Sequence, residues 1–169
     1  MFNVVSCVHE SKNEDGYVFS ASDRSIALTI YVCLIEYKVL REDEFSLILN
    51  NLLSWLHEAI KVNETLYIPI YVELIMIANY YSPQIVSNAV NIEWILPVIF
   101  DNFPRFVCEY QLQRILVGFC KVIECGQVKN ESMMTELMRR LLPLAETIMK
   151  IRTSNEEGRS NGEDVDMEE

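Results

Sequence analysis

The sequence predicts an all-α fold, built from successive pairs of amphipathic helices and followed by an acidic, disordered tail. Three observations predict it. Glycine and proline number only five each among 169 residues, too few for the turns of a sandwich or barrel of short strands. Half of the residues are apolar, and they recur at steps of three and four, which is the helical period. The segments so marked repeat at forty-odd residues, the length of a two-helix unit.

Residues 1–21 form an N-terminal segment expected to be partly irregular. It opens on Phe2, Val4, Val5 and Val8 and continues as a polar loop from His9 to Gly16. A helix is expected over 23–40, with Ser22 or Asp23 at its N-cap and Ile26, Ile30, Cys33, Leu34 and Tyr37 as its apolar stripe. The next, over 43–61, starts at the potential cap Asp43 and shows Phe45, Leu49, Leu52, Leu53, Leu56 and Ile60 on one side.

A third helix begins after Thr65 and ends at Tyr81-Ser82-Pro83. Pro69 falls in its first turn, where a missing N–H does little harm. This segment is apolar nearly all round, as befits a helix enclosed by neighbours. Ser82-Pro83 is a cap followed by a first helical position, so a short helix follows. Residues 91–102 carry Ile92, Ile95, Leu96 and Ile99 on one face. The next helix spans 106–125 on Leu112, Ile115, Leu116, Phe119 and Val122, and Gly126 closes it. Within it, Gly118 is expected to permit close approach of another helix.

The last predicted helix covers 130–152, with Met134, Leu137, Leu141, Leu144, Ile148 and Ile151 as its stripe. Glu136–Arg140 and Glu146–Lys150, four residues apart, mark its wet face. Thr153–Glu169 has only Val165 and Met167 as sizeable apolar residues, too few to offset the entropy of ordering, so disorder is expected there.

Charge narrows the partners. The chain carries a net −11, and −6 of it falls on residues 153–169, where seven acids face the single base Arg159. Such a surface repels nucleic acid and anionic membranes and attracts basic proteins. Cys7, Cys33, Cys108, Cys120 and Cys125 form no CxxC pair and read as reduced thiols, three of them as small hydrophobes within apolar helices. His9 and His57 have no metal-spaced neighbour. The most apolar stretch, Leu66–Tyr81, is shorter than the roughly 20 residues of a membrane span and contains Glu73. No catalytic, cofactor-binding or metal-ligating set is predicted. Nucleophile-elbow, dinucleotide and P-loop patterns are all lacking.

Helix starts near 23, 65 and 107 are 42 apart, and the steps Leu96-Pro97 and Leu142-Pro143 are 46 apart. These periods suit a HEAT or armadillo superhelix, here a solenoid fragment spanning 22–152. In that register 23–40 is the second helix of a pair. Two full pairs follow, 43–61 with 65–81 and 91–103 with 106–125, and 130–152 is a first helix without its mate. An irregular single bundle is the competing architecture.

From about Leu47 onward the chain also shows an ordered set of features. One is the helix end Ala78-Asn79-Tyr80-Tyr81-Ser82-Pro83-Gln84. Another is Leu112-Gln113-Arg114-Ile115-Leu116-Val117-Gly118-Phe119-Cys120-Lys121-Val122-Ile123, followed by a further apolar helix and an acidic segment. The set resembles the C-terminal HEAT region of importin-β-superfamily receptors, especially the branch of importins seven and eight; exportin-two has a similar late helix. The resemblance implies nucleocytoplasmic protein transport without catalysis or cofactor. The implied partners are cargo and Phe-Gly nucleoporins, in cytoplasm and nucleus including the pore. Ran GTPase would be gripped only by N-terminal repeats absent from this chain, and the acidic tail is sparser than in that branch. A HEAT-like scaffold of a cytosolic complex, unrelated to transport, is the alternative.

Two groups of residues are candidates for contact. Glu156, Glu157, Glu163, Asp164, Asp166, Glu168 and Glu169 suit basic cargo such as histones or ribosomal proteins, or are simply a solvated terminus. Trp55 and Trp94 are core residues on the ordinary expectation for tryptophan. The resemblance implies that they could instead line inter-repeat grooves for nucleoporin segments.

Overall fold

The computed structural model describes residues 21–37, 40–106 and 108–160, with 21–25, 27 and 155–160 described by backbone alone. Most of the N-terminal segment, with Cys7 and His9, lies outside the described residues. Every regular element among the described residues is helical: α1 (Ala21–Glu36), α2 (Glu42–Lys61), α3 (Ile68–Tyr81), α4 (Pro83–Ala89), α5 (Ile92–Asn102), a 3₁₀ turn (Phe103–Arg105), α6 (Glu109–Glu124) and α7 (Glu131–Ser160). The expected all-α class is what is found.

The core is organised around α3, which packs against α1, α2, α4, α5 and above all α6. Its residues Ile68, Pro69 and Tyr71–Asn79 are buried, because neighbours cover it on nearly every side; Ile70 is half-buried. Helix α6 approaches α3 closely at Gly118. A Cβ there would stand 2.8 Å from the Met76 Cβ and 3.0 Å from the Met76 carbonyl oxygen. Only a residue without a side chain lets these two backbones meet, as expected from the sequence. Helix α7 then packs on α6, and the Arg140 guanidinium lies 4.6 Å over the Phe100 ring of α5.

The ends follow local chemistry. Asn91 caps α5 by accepting from the Glu93 N–H at 3.0 Å, and Asn130 caps α7 by accepting from the Met133 N–H at 3.0 Å. Gly126 has φ +58°, the left-handed conformation that suits glycine just beyond a helix end. Pro97 and Pro143 lie inside α5 and α7.

The structure departs from the expected helix bounds: α1 begins at Ala21, so Ser22 and Asp23 lie within it and not at its N-cap, and α3 and α6 begin later than expected, at Ile68 and Glu109. Four further departures concern faces, caps, ends and pairs. First, α1 turns Leu28, Tyr31, Val32 and Ile35 inward and leaves Ile26, Ile30 and Tyr37 exposed, because the former set meets α3. Second, α2 starts one residue before Asp43. Its cap is Arg41, whose own N–H is held by the Glu44 carboxylate at 3.0 Å. On the same helix Ala59 is buried and Ile60 exposed. Third, α7 continues past Arg152 to Ser160, so the first part of the expected tail is helical, while 161–169 lie outside the described residues. Fourth, Glu136 pairs with Arg140 as expected, and also with Arg139, whereas no bond joins Glu146 to Lys150.

Candidate functional site

Helix α3 carries a carboxylate where its neighbours are apolar. Glu73 is only 4% exposed, and an ionised carboxylate so placed requires a counter-charge and hydrogen-bond donors. Helix α6 supplies both. Arg114 Nη1 donates to Glu73 Oε1 at 2.6 Å, and Gln111 Nε2 donates to Glu73 Oε2 at 3.0 Å. The same guanidinium reaches Glu36 on α1, with Nε and Nη2 each 3.0 Å from Oε1. One arginine therefore joins three helices. Burial pulls the Arg114 pKa down, but its bonds to Glu73 and Glu36 more than offset this and hold it above the ordinary arginine value. Tyr81 is raised by burial and by the nearby Glu36 charge.

Glu36, Glu73, Gln111 and Arg114 border a cleft of about 510 Å³ between α1, α3 and α6, with Leu28, Val32 and Ile70 among its apolar lining. Cys33 and Cys108 line it too. All four described cysteines (Cys33, Cys108, Cys120, Cys125) are unpaired and exposed, so those expected as small buried hydrophobes face outward instead. In the sequence Glu73 counts only against a membrane span. Its signal is nonetheless present: a lone acid in a wholly apolar helix calls for a base on a neighbour, and α6 offers two, Arg114 and Lys121, of which Arg114 meets it.

The two tryptophans differ in setting. Trp55 is half-buried, stacked on Tyr31 at 6.0 Å with 12° between the rings and tilted against Tyr71 at 6.4 Å. It bridges α1, α2 and α3 from within. Trp94 is 42% exposed and lies 6.4 Å from the ring of His57, itself exposed on α2. This pair forms an aromatic surface across the line between α2 and α5. An exposed indole beside an imidazole offers flat apolar area with polar edges, the composition that interface anchors favour.

A second polar assembly secures the turn before α7. Asn79, fully buried at the end of α3, and Gln127 exchange amide bonds at 2.9 and 2.8 Å, and Gln127 also donates to Ser87 Oγ at 2.7 Å. Glu93 Oε1 accepts from the backbone N–H groups of Lys129 and Asn130. Those bonds, the Asn130 one foremost, hold the Glu93 carboxyl below the usual range. A carboxylate here satisfies donors at the start of α7 that the helix cannot satisfy itself.

Of the acidic residues expected to meet basic cargo, Glu156 and Glu157 lie on the last turns of α7. Glu163, Asp164, Asp166, Glu168 and Glu169 lie outside the described residues. Among the described residues no group of three or more His, Cys, Asp or Glu side chains is placed to hold a metal ion. None of the described helices is long and apolar enough to cross a membrane. In comparisons with known proteins, no family model matches the chain, and neither the curated proteins nor the solved structures yield a match.

Proposed function

We propose that this chain is a HEAT-type superhelical segment of a nuclear transport receptor, which works by binding other proteins and not by transforming them. One observation supports the reading: the second members of the helix pairs adjoin one another in chain order. Helices α1, α3 and α6, the second members of the pairs read from the sequence, are successive neighbours. Helices α2, α5 and α7, the first members, are linked more sparsely, by the side-chain pairs His57–Trp94 and Arg140–Phe100. Stacked pairs bury their apolar faces on the next layer and display long surfaces suited to wrapping a partner.

The transport assignment is supported by the resemblance of residues Ala78–Gln84 and Leu112–Ile123 to importin-β-superfamily receptors. It takes Trp94 as a contact for Phe-Gly nucleoporin segments and the acidic terminus as the attraction for basic cargo. Such a protein works in the cytoplasm, the nucleus and the pore between them.

The test is retention on immobilised Phe-Gly repeats, beside an unrelated helical-repeat protein as control. Retention above the control, weakened by Trp94→Ala, is the expected result. Elution with the control rejects the transport assignment and favours a scaffold of the same architecture.

A further inference from the structure

Helix α7 is apolar on two sides, and the core uses only one. Leu137, Leu144 and Ile148 are buried. A second stripe runs along the open side: Met138, Leu142 and Met149 are 54%, 67% and 61% exposed, with Ala145 completing the row. Its steps of four, three and four are those of a seam where two helices lie side by side. Pro143 stands off this seam and does not obstruct it.

Charge identifies the helix that fits. Arg139 and Glu146 follow Met138 and Ala145 by one residue each, so both flank the stripe along the same margin. Two copies of α7 laid antiparallel about the point between Leu142 and Ala145 bring Arg139 of each copy opposite Glu146 of the other. The match occurs twice by symmetry, as a two-fold interface requires. A parallel alignment gives neither charge a counter-charge. Glu146 meets no cation among the described side chains of its own chain, whereas Arg139 already donates to Glu136 through Nε and Nη2, each at 2.8 Å, and holds Glu146 of the second copy with its remaining N–H groups.

We infer that the exposed stripe of α7 is a self-association surface, on which a second copy of this chain docks antiparallel to form a two-fold dimer. A seam of four residues per helix is short, and the interface falls below the roughly 1,200–2,000 Å² of standard complexes. The dimer is therefore weak and forms reversibly with concentration. This inference does not rest on the transport reading, and nucleoporin binding leaves it unaffected.

Sedimentation equilibrium of the whole chain over a wide concentration range tests it. The weight-average mass is expected to rise from 19.7 kDa and level off at twice that value. Leu142→Glu should hold the protein at the monomer mass, with its helical circular dichroism unchanged because the side chain is exposed. Arg139→Glu should weaken the dimer, and Arg139→Glu combined with Glu146→Arg should restore it. A monomer at every concentration overturns the inference. So does a mass that climbs beyond two copies, the sign of open-ended head-to-tail docking. A dimer indifferent to Leu142→Glu, or not restored by the charge exchange, also overturns it.

Discussion

At the scale of single residues, the structure depends most on Arg114. Its guanidinium compensates the nearly buried Glu73 carboxylate and the half-exposed Glu36 together. Replacing it with leucine leaves Glu73 enclosed and uncompensated, a change that costs on the order of 3–5 kcal/mol when a buried pair is broken. Urea unfolding of Arg114→Leu is expected to show a loss of that size. The double variant Glu73→Leu, Arg114→Leu should lose less, since it removes the stranded charge as well. Equal losses would mean that the packing of the arginine stem matters more than its charge. Gly118→Ala poses the opposite problem. Alanine favours helices by up to about 1 kcal/mol over glycine, but its methyl must displace the Met76 backbone. Overpacking typically costs about 1–3 kcal/mol, so a net fall in thermal midpoint is expected, and a rise would show that α3 and α6 can separate cheaply.

At the scale of elements, α7 is the helix whose start and middle depend on carboxylates. Glu93 caps its first donors from α5, and Glu136 is drawn down to about 2 by its bonds to Arg139 and then Arg140. Both carboxyls are lower in the folded chain than their ordinary 4.5. Their contribution is therefore complete above that value and is lost as pH falls through the folded pKa. Stability measured by denaturant unfolding should decline between pH 4.5 and about 2. In the double variant Glu93→Gln, Glu136→Gln the decline should be shallower. An unchanged slope would assign the acid sensitivity to other carboxylates. The elements also show where periodicity suffices and where it does not. Ile92, Ile95, Leu96 and Ile99 of α5 were all expected on one face and are all buried, because that helix has a single apolar stripe. Helix α1 has two, and nothing local distinguishes Leu28, Tyr31 and Ile35 from Ile26, Ile30 and Tyr37. Contact with α3 made the choice.

At the scale of the whole molecule, the net charge predicts a salt-dependent attraction for basic proteins under the proposed function. Removing residues 153–169 takes away −6 of the −11. Binding to histones at low salt should weaken markedly in that truncation, and the full chain should approach the truncated one as salt screens exposed charges beyond about 10 Å at 0.1 M. Equal affinity of the two at low salt would remove the terminus from the interaction. Helix α7 extends to Ser160, so a shorter truncation of 161–169 separates the charge of the last residues from any contribution of the helical turns.

The all-helical class, the order of the helices, the turn at Gly126 and the close approach at Gly118 were determined by the sequence alone. Each rests on a steric or hydrogen-bonding rule acting within a few residues, or on a period that only a helix satisfies. The burial of one α1 stripe over the other and the three-helix engagement of Arg114 were decided by tertiary structure. So were the contrast between Trp55 and Trp94 and the open second stripe of α7. Those depend on which surfaces meet across tens of residues of chain, and local periodicity is blind to the neighbour that will cover a face.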